Sequence, residues 1–283
     1  MKAGWSYLPG TGVEEPPMLE LKKYLRHIQC AIQETMAYRV SYFVNIISQF
    51  VTYIVIFFLW KAIYTAGPVL GGMAWSDMQG YLLISLFASA LISGSSEFRV
   101  SRSIWTGNIA VELVRPVDYQ RANFAITVGN GIAEGVLVAA IGVVFAVLIG
   151  FSTSPGHAIT WFYFILAMLF SFTIKFLLVY IFGLFSFWTT GSMGLAWIRK
   201  GLTDFFSGAL IPLSFFPGWL QNIANLLPFR GIVFVPGTIF IEQMPDNQIL
   251  VSLALDLVWI VALWYLAKLI WHFAMRKVTI HGG

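Results

Sequence analysis

Four ionisable residues stand inside otherwise apolar runs: Glu134, Lys175, Asp204 and Asp256. A charge isolated at the centre of a bilayer costs ~2.5–3.5 kcal/mol on insertion scales, so each needs a partner, water or a task. Glu134 and Lys175 each lie about twelve residues from the basic-flanked end of their runs, which are consecutive. Antiparallel packing would bring them to one depth. An ion pair across two helices is one expectation, and a charge lining a solute path is the other. Asp204 and Asp256 are read as closer to the ends of their runs, where water or a backbone donor would satisfy them. A fifth charge, Arg230, ends the broken stretch IPLSFFPGWLQNIANLLPFR, which carries Pro212, Pro217, Trp219, Pro228 and Phe229. It is too polar and too interrupted to be one apolar helix. It reads as a re-entrant hairpin from the outer face or as a cap on that face. Irregular backbone at membrane depth is tolerated only against protein or a water-filled cavity.

A second cluster occupies RVSRSIWTGNIAVELVRPVDYQR, residues 99–121. Asn108 is placed to cap a short helix through Val114, and Pro116 to stop it. Ile109, Leu113 and Val114 are apolar among Arg99, Arg102, Glu112, Arg115 and Arg121. Apolar groups rimmed by charge suit a protein-docking surface, and they equally suit a helix lying on lipid headgroups.

Several chemistries have no motif here. There is no GxxxxGK[ST] to cradle phosphates, no HExxH and no GxSxG. The histidines at 27, 157, 272 and 281 show no metal-ligand spacing, and the lone Cys30 has no partner for an intrachain disulfide. Neither a catalytic centre nor a metal or cofactor site is expected in the chain. Its basic residues are scattered among apolar runs, which argues against a nucleic-acid surface.

The elements that must position these residues are membrane helices. The 283 residues are 58% hydrophobic and 11% charged, against about 25% charged in a soluble domain. Six runs approach the ~20 residues needed to span: 41–63, 78–98, 122–150, 159–188, 195–213 and 249–272. With six crossings, Lys2, Lys22, Lys23, Arg26, Arg39, Arg99, Arg102, Arg115, Arg121, Arg199, Lys200, Lys268, Arg276 and Lys277 share one side, against Lys61 and Arg230 on the other. By the positive-inside rule both termini are then cytoplasmic. The fold class expected is an all-α integral membrane protein of six spans, N-in and C-in. Residues 1–17 read as a disordered tail and 18–40 as an amphipathic helix, either lying in the interface or extending the first span. Residues 41–272 form the transmembrane domain, with a cytoplasmic loop at 99–121 and an outer hairpin at 214–248. A cytoplasmic tail, 273–283, follows.

In one family these features occur together. AYRVSYFVNIISQFVTYIVIFFLWKAIY resembles the first helix of the permease subunits of type-2 ABC exporters. IWTGNIAVELVRPVDYQ resembles their Ile-x-x-Gly…Leu-x-Arg-Pro loop. GALIPLSFFPGWLQNIANLLPFRG resembles their Gly-x-x-Ile-Pro-Leu…Phe-Pro…Leu-Pro-Phe signature, and KVTIHGG their Gly-Gly ending. The resemblance implies a permease in a bacterial cytoplasmic (inner) membrane that works with a second permease, as homodimer or heterodimer, and with separate ATP-binding cassette subunits. ATP and Mg would be bound by those partners. It makes 18–40 a connecting helix and 99–121 a coupling loop that docks on the ATPase. Arg99, Arg102, Gly107, Ile109, Glu112, Leu113, Arg115 and Pro116 would carry the coupling. The path would run between the first, second and fifth helices of two permeases, with Tyr53, Phe57, Trp60, Phe87, Phe205 and Phe206 as candidate lining; lipid-facing aromatics look the same. Two other readings stay open. An importer permease would carry a Glu-Ala-Ala loop, and the letters EGVLVAA lie inside a span. A membrane enzyme would need clustered acidic metal ligands.

Overall fold

The computed structural model describes residues 17–37, 39–67, 69–92, 95–151, 155–189 and 191–276. The expected tail before Pro17 and the KVTIHGG ending lie outside the described residues. The helices are α1 (Pro17–Ala37), α2 (Arg39–Ala66), α3 (Trp75–Ala90), α4 (Ser95–Trp105), α5 (Ile109–Leu113), α6 (Tyr119–Leu148), α7 (Ala158–Leu184), α8 (Ser192–Phe206), α9 (Gly218–Leu226), α10 (Phe234–Phe240) and α11 (Asp246–Met275). A small antiparallel hairpin, Val69–Leu70 with Met73–Ala74, joins α2 to α3.

Four segments are long and apolar enough to cross a membrane: Phe43–Thr65, Tyr119–Leu148, Ala158–Phe187 and Asp246–Met275. They correspond to the first, third, fourth and sixth expected runs. A fifth candidate is the pair Gly218–Leu226 and Pro228–Phe240, which is bent by 77° at its break. The second and fifth expected runs fold as shorter helices. α3 has 16 residues and α8 has 15, which is roughly 24 and 22 Å of helix where the hydrocarbon core needs ~30 Å. Their apolar letters continue, but the sequence breaks the backbone. After α3 the chain bends at Leu91 and Ile92, and α4 begins at Ser95. After α8 comes Gly208, at φ +83°, a left-handed conformation that disfavours a side chain.

α7 is the central helix. Of its most apolar window 56% is buried, against 22–28% for the other three long segments, whose outward faces are apolar and suit lipid. The bundle has chemically distinct ends. At the basic end, α4, α5, the start of α6 and the end of α11 gather, with Tyr119 stacked on Trp271 at 4.4 Å. At the other, acidic end, Gln243 donates to the Gly72 carbonyl and to Asp77. There Glu242 ties the approach to α11 to the start of α7. Its carboxylate accepts from the Gly156 amide (3.0 Å) and the Thr160 hydroxyl (3.1 Å), with His157 Nδ1 at 3.5 Å.

α1 lies against α6 as well as offering an apolar face outward. Leu21 and Leu25 are exposed, Ala31 is buried, and the Thr35 hydroxyl donates to Asn130 Oδ1 at 3.1 Å. The approach needs Gly129, where a Cβ would stand 2.5 Å from the Ile28 carbonyl oxygen. The GIAEG motif serves a different contact, since a Cβ at Gly131 would sit 2.6 Å from the Phe172 ring of α7. Gly129→Ala should therefore cost about 1–3 kcal/mol. Gly142→Ala on the same helix, with nothing within 4 Å of its Cβ, should be neutral or stabilising by up to about 1 kcal/mol. Thermal unfolding of both variants in one detergent tests this, and equal shifts would contradict the α1–α6 contact.

Burial acts to raise the Glu242 pKa, but hydrogen bonds from Thr160, Gly156 and His157 outweigh it and hold the group below its ordinary 4.5. A depressed folded-state pKa gives stability that is complete above the unfolded value and is lost as pH falls through the folded one. The wild-type melting temperature should thus fall more steeply than that of Glu242→Gln once pH drops below about 4.5. Parallel curves would remove the anchor.

Candidate functional site

Helices that stop inside a protein leave carbonyls without partners, and α3 and α8 both do so. Three donors meet three consecutive carbonyls beyond α8. Tyr81 Oη donates to Gly208 O at 2.8 Å, Ser85 Oγ to Ala209 O at 3.2 Å and Trp60 Nε1 to Leu210 O at 3.2 Å. Tyr81 is fully buried, and a Cβ at Gly237 would lie 2.8 Å from its ring, so α10 closes over it. The Phe234 amide donates to Ser207 O at 3.0 Å, and Ser171 Oγ to Ile232 O at 2.6 Å. Lys175 serves the end of α3. Its ammonium, expected to meet Glu134 across the α6–α7 interface, donates to the carbonyls of Ala88 and Ser89. A cation at a helix C-terminus also complements the helix dipole. Glu134 is buried in α6.

These contacts bound a cavity of about 610 Å³ between α2, α3, α7 and α8. Asn45, Ser48, Gln49 and Thr52 form its α2 wall. Their spacing of three, one and three places them on one helical face, a polar stripe within an apolar span. Across it stand Lys175, Arg199, Lys200 and Asp204. Arg199 is only 3% exposed, and Lys200 Nζ donates to Asp204 Oδ2 at 2.8 Å. The sequence reading passed over the α2 stripe, Arg199, Tyr81 and Ser85. Polar letters at i, i+3, i+4 and i+7 in a hydrophobic run were the available signal for the first. Nothing local marks Tyr81 or Ser85 as donors.

Of the aromatic candidates for a path, Tyr53 lines the cavity. The other five pack elsewhere. Phe57 meets Phe145 and Trp75, and Trp60 meets Phe215 at the acidic end of the cavity. Phe87 lies beside Gly135. Phe205 and Phe206 pack on Phe216 and Phe229. Asp256 departs from the interfacial position read for it. It lies ten residues into α11, is fully buried, and its carboxylate oxygens meet no donor. Gly231 fits against it, since a Cβ there would come within 2.6 Å of Oδ1. Arg230 beside it turns its Nη2 to Ser252 Oγ at 2.5 Å and its Nη1 to the Asn225 carbonyl at 3.3 Å.

The hairpin residues fall at breaks. Pro212 precedes a 3₁₀ turn, Leu213–Phe215. Pro217 precedes α9, and Pro228 opens a second 3₁₀ turn, Pro228–Gly231, holding Phe229 and Arg230. Trp219 is exposed on α9. In the 99–121 loop, Arg102 is exposed on α4 and Gly107 turns the chain at φ +73°. α5 then begins without the cap expected of Asn108, whose side chain makes no such bond; its carbonyl instead accepts the Val111 and Glu112 amides. Ile109 is buried and Val114 is 84% exposed, with Leu113 exposed beside it. Arg115 and Pro116 are exposed in the link to α6. Arg99 Nη2 reaches Glu112 Oε1 at 4.0 Å and ties α5 to α4. On α1, His27 is held below its ordinary pKa by burial and then by the charges of Arg115 and Arg99, which places α1 beside this loop.

Among the described residues, no group of three or more His, Cys, Asp or Glu is placed to hold a metal ion. Tyr81→Phe should leave the Gly208 carbonyl without its donor and cost about 1–3 kcal/mol. An unchanged thermal transition would remove the interaction from the stability of the bundle. Over residues 50–282 the chain matches a family described as ABC-2 family transporter protein. No curated protein matches it.

Proposed function

The chain belongs to the ABC-2 family of transporter proteins, and we propose that it is the membrane permease subunit of an ATP-driven exporter. The observation that carries the reading is the cavity walled by α2, α3 and α8, the three helices that were expected to line a path shared between two permeases. It is closed at the acidic end by the Trp60, Tyr81 and Ser85 hydrogen bonds. In this reading α3 and α8 cross together with their unwound flanks, since those flanks are buried in protein and supplied with donors. That gives six crossings, with the basic end in the cytoplasm of a bacterial inner membrane. The bent pair α9–α10 forms a re-entrant cap on the outer face.

The chain acts as a conduit rather than a catalyst. A separate ATP-binding cassette subunit binds ATP and Mg, and a second permease completes the path. α5 docks on the ATPase through the exposed Val111, Leu113 and Val114, while Arg99–Glu112 transmits the load to α4. An importer's Glu-Ala-Ala loop has no counterpart in EGVLVAA, because Glu134 is buried within α6.

Affinity purification from the native membrane tests the reading. An ATP-binding chain should co-elute with the wild type, and Leu113→Asp should lower its recovery by roughly tenfold or more, the scale of burying one unpaired charge in an interface. Wild type that elutes without a nucleotide-binding partner would sink the proposal.

A further inference from the structure

We propose that the cavity binds the anionic group of an amphiphilic molecule, whose apolar part lies against Leu82, Leu86 and Ile232. This rests on the permease reading above and names its substrate class. Among the described lining residues, Lys175, Arg199 and Lys200 face one acid, Asp204, and Asp204 is already engaged by Lys200 at 2.8 Å. An ammonium has three N–H donors. That of Lys175 sends donors to Ala88 and Ser89 and lines the same cavity. Tyr53 and Thr203 also line the cavity, and their buried hydroxyls meet no hydrogen-bond partner. Hydroxyl and cationic donors converging beside an apolar wall match an anionic headgroup on a hydrocarbon body. The same excess of positive charge repels a cationic amphiphile. A volume of about 610 Å³ accommodates a molecule of drug or short-chain lipid size. A bilayer lipid and a water-borne amphiphile present the same chemistry.

The single native cysteine makes the test direct. In a Cys30→Ser background, Ser48→Cys places a thiol on the cavity wall. The full chain is held in nanodiscs of phosphatidylcholine and labelled with a water-soluble maleimide, with octyl phosphate, octyltrimethylammonium or octyl glucoside as competitor. Octyl phosphate should slow labelling at roughly tenfold lower concentration than the other two, the scale of one charge-assisted hydrogen bond. Lys200→Gln should shrink that advantage and Asp204→Asn should widen it. Slower labelling in phosphatidylglycerol discs without competitor would support the anion and identify the source as bilayer lipid. Protection by octyl phosphate alone would support it as water-borne. Equal protection by all three amphiphiles, protection by none, or the two charge variants moving in one direction overturns the anion proposal and leaves the conduit standing. A Ser48→Cys thiol that the reagent never reaches sinks the conduit reading, and the anion proposal with it.

Discussion

The structure depends on how carbonyls are satisfied where helices stop short. A full-length spanning helix keeps its backbone bonds internal, but a helix of 15 or 16 residues exposes its last carbonyls at apolar depth, at a cost of several kcal/mol if left bare. Here each such end is met by a neighbour's donor. Lys175 of α7 serves α3, and Trp60 of α2 with Tyr81 and Ser85 of α3 serves the chain beyond α8. Two of these donors, Ser85 and Lys175, line the cavity itself, so the bonds that hold the short helices also help set the shape of the space between them.

α3 joins these contacts: its last turn receives Lys175, and Tyr81 and Ser85 from its middle serve the chain beyond α8. The α4 helix beyond it packs on α7, where Val100 would clash with any Cβ at Gly183, at 2.9 Å. Load arriving at α5 would, on the proposed reading, pass through Arg99 to α4 and from there into α7 by direct packing. On the proposed reading, opening the far end means releasing the three carbonyls from Trp60, Tyr81 and Ser85 together. Discrete hydrogen bonds of this kind suit a two-state change better than a graded one. The chain of contacts is spatial, and coupling along it is a property of a permease pair with its motor.

Hydropathy read the long segments of this fold well, because α2, α6, α7 and α11 carry sustained apolar runs. The proline-bounded helix α9 was equally legible, since Pro217 and Pro228 bracket it. What escaped has a common cause. The runs at 78–98 and 195–213 are apolar enough on average, but composition does not register where the backbone turns; Gly208, at φ +83°, is one letter in twenty. Lys175 was marked as a buried charge needing a partner, and no sequence pattern announces that the carbonyls of Ala88 and Ser89 are among its acceptors. Asp256 was placed near an interface by counting along α11, whereas its environment is set by the α9–α10 bend that buries it. The aromatics singled out for a path mostly pack the bundle. The polar stripe at Asn45, Ser48, Gln49 and Thr52 lines the cavity instead.

The division between long and short helices accounts for where function gathers. α6, α7 and α11 each run the full depth with few interruptions and form a frame. α3 and α8, together with the bent α9–α10 pair, are short, broken and rich in polar groups. They bring Arg199, Lys200 and Asp204 to the cavity, opposite Lys175 of the frame helix α7, or close over it. A polar lining in apolar surroundings is costly, and a span built only for stability would not carry four polar residues along one face. α2 carries them between Asn45 and Thr52, on a face separate from the one it buries through Ile46, Tyr53 and Phe57. On the proposed reading, that polar stripe is where a solute is met.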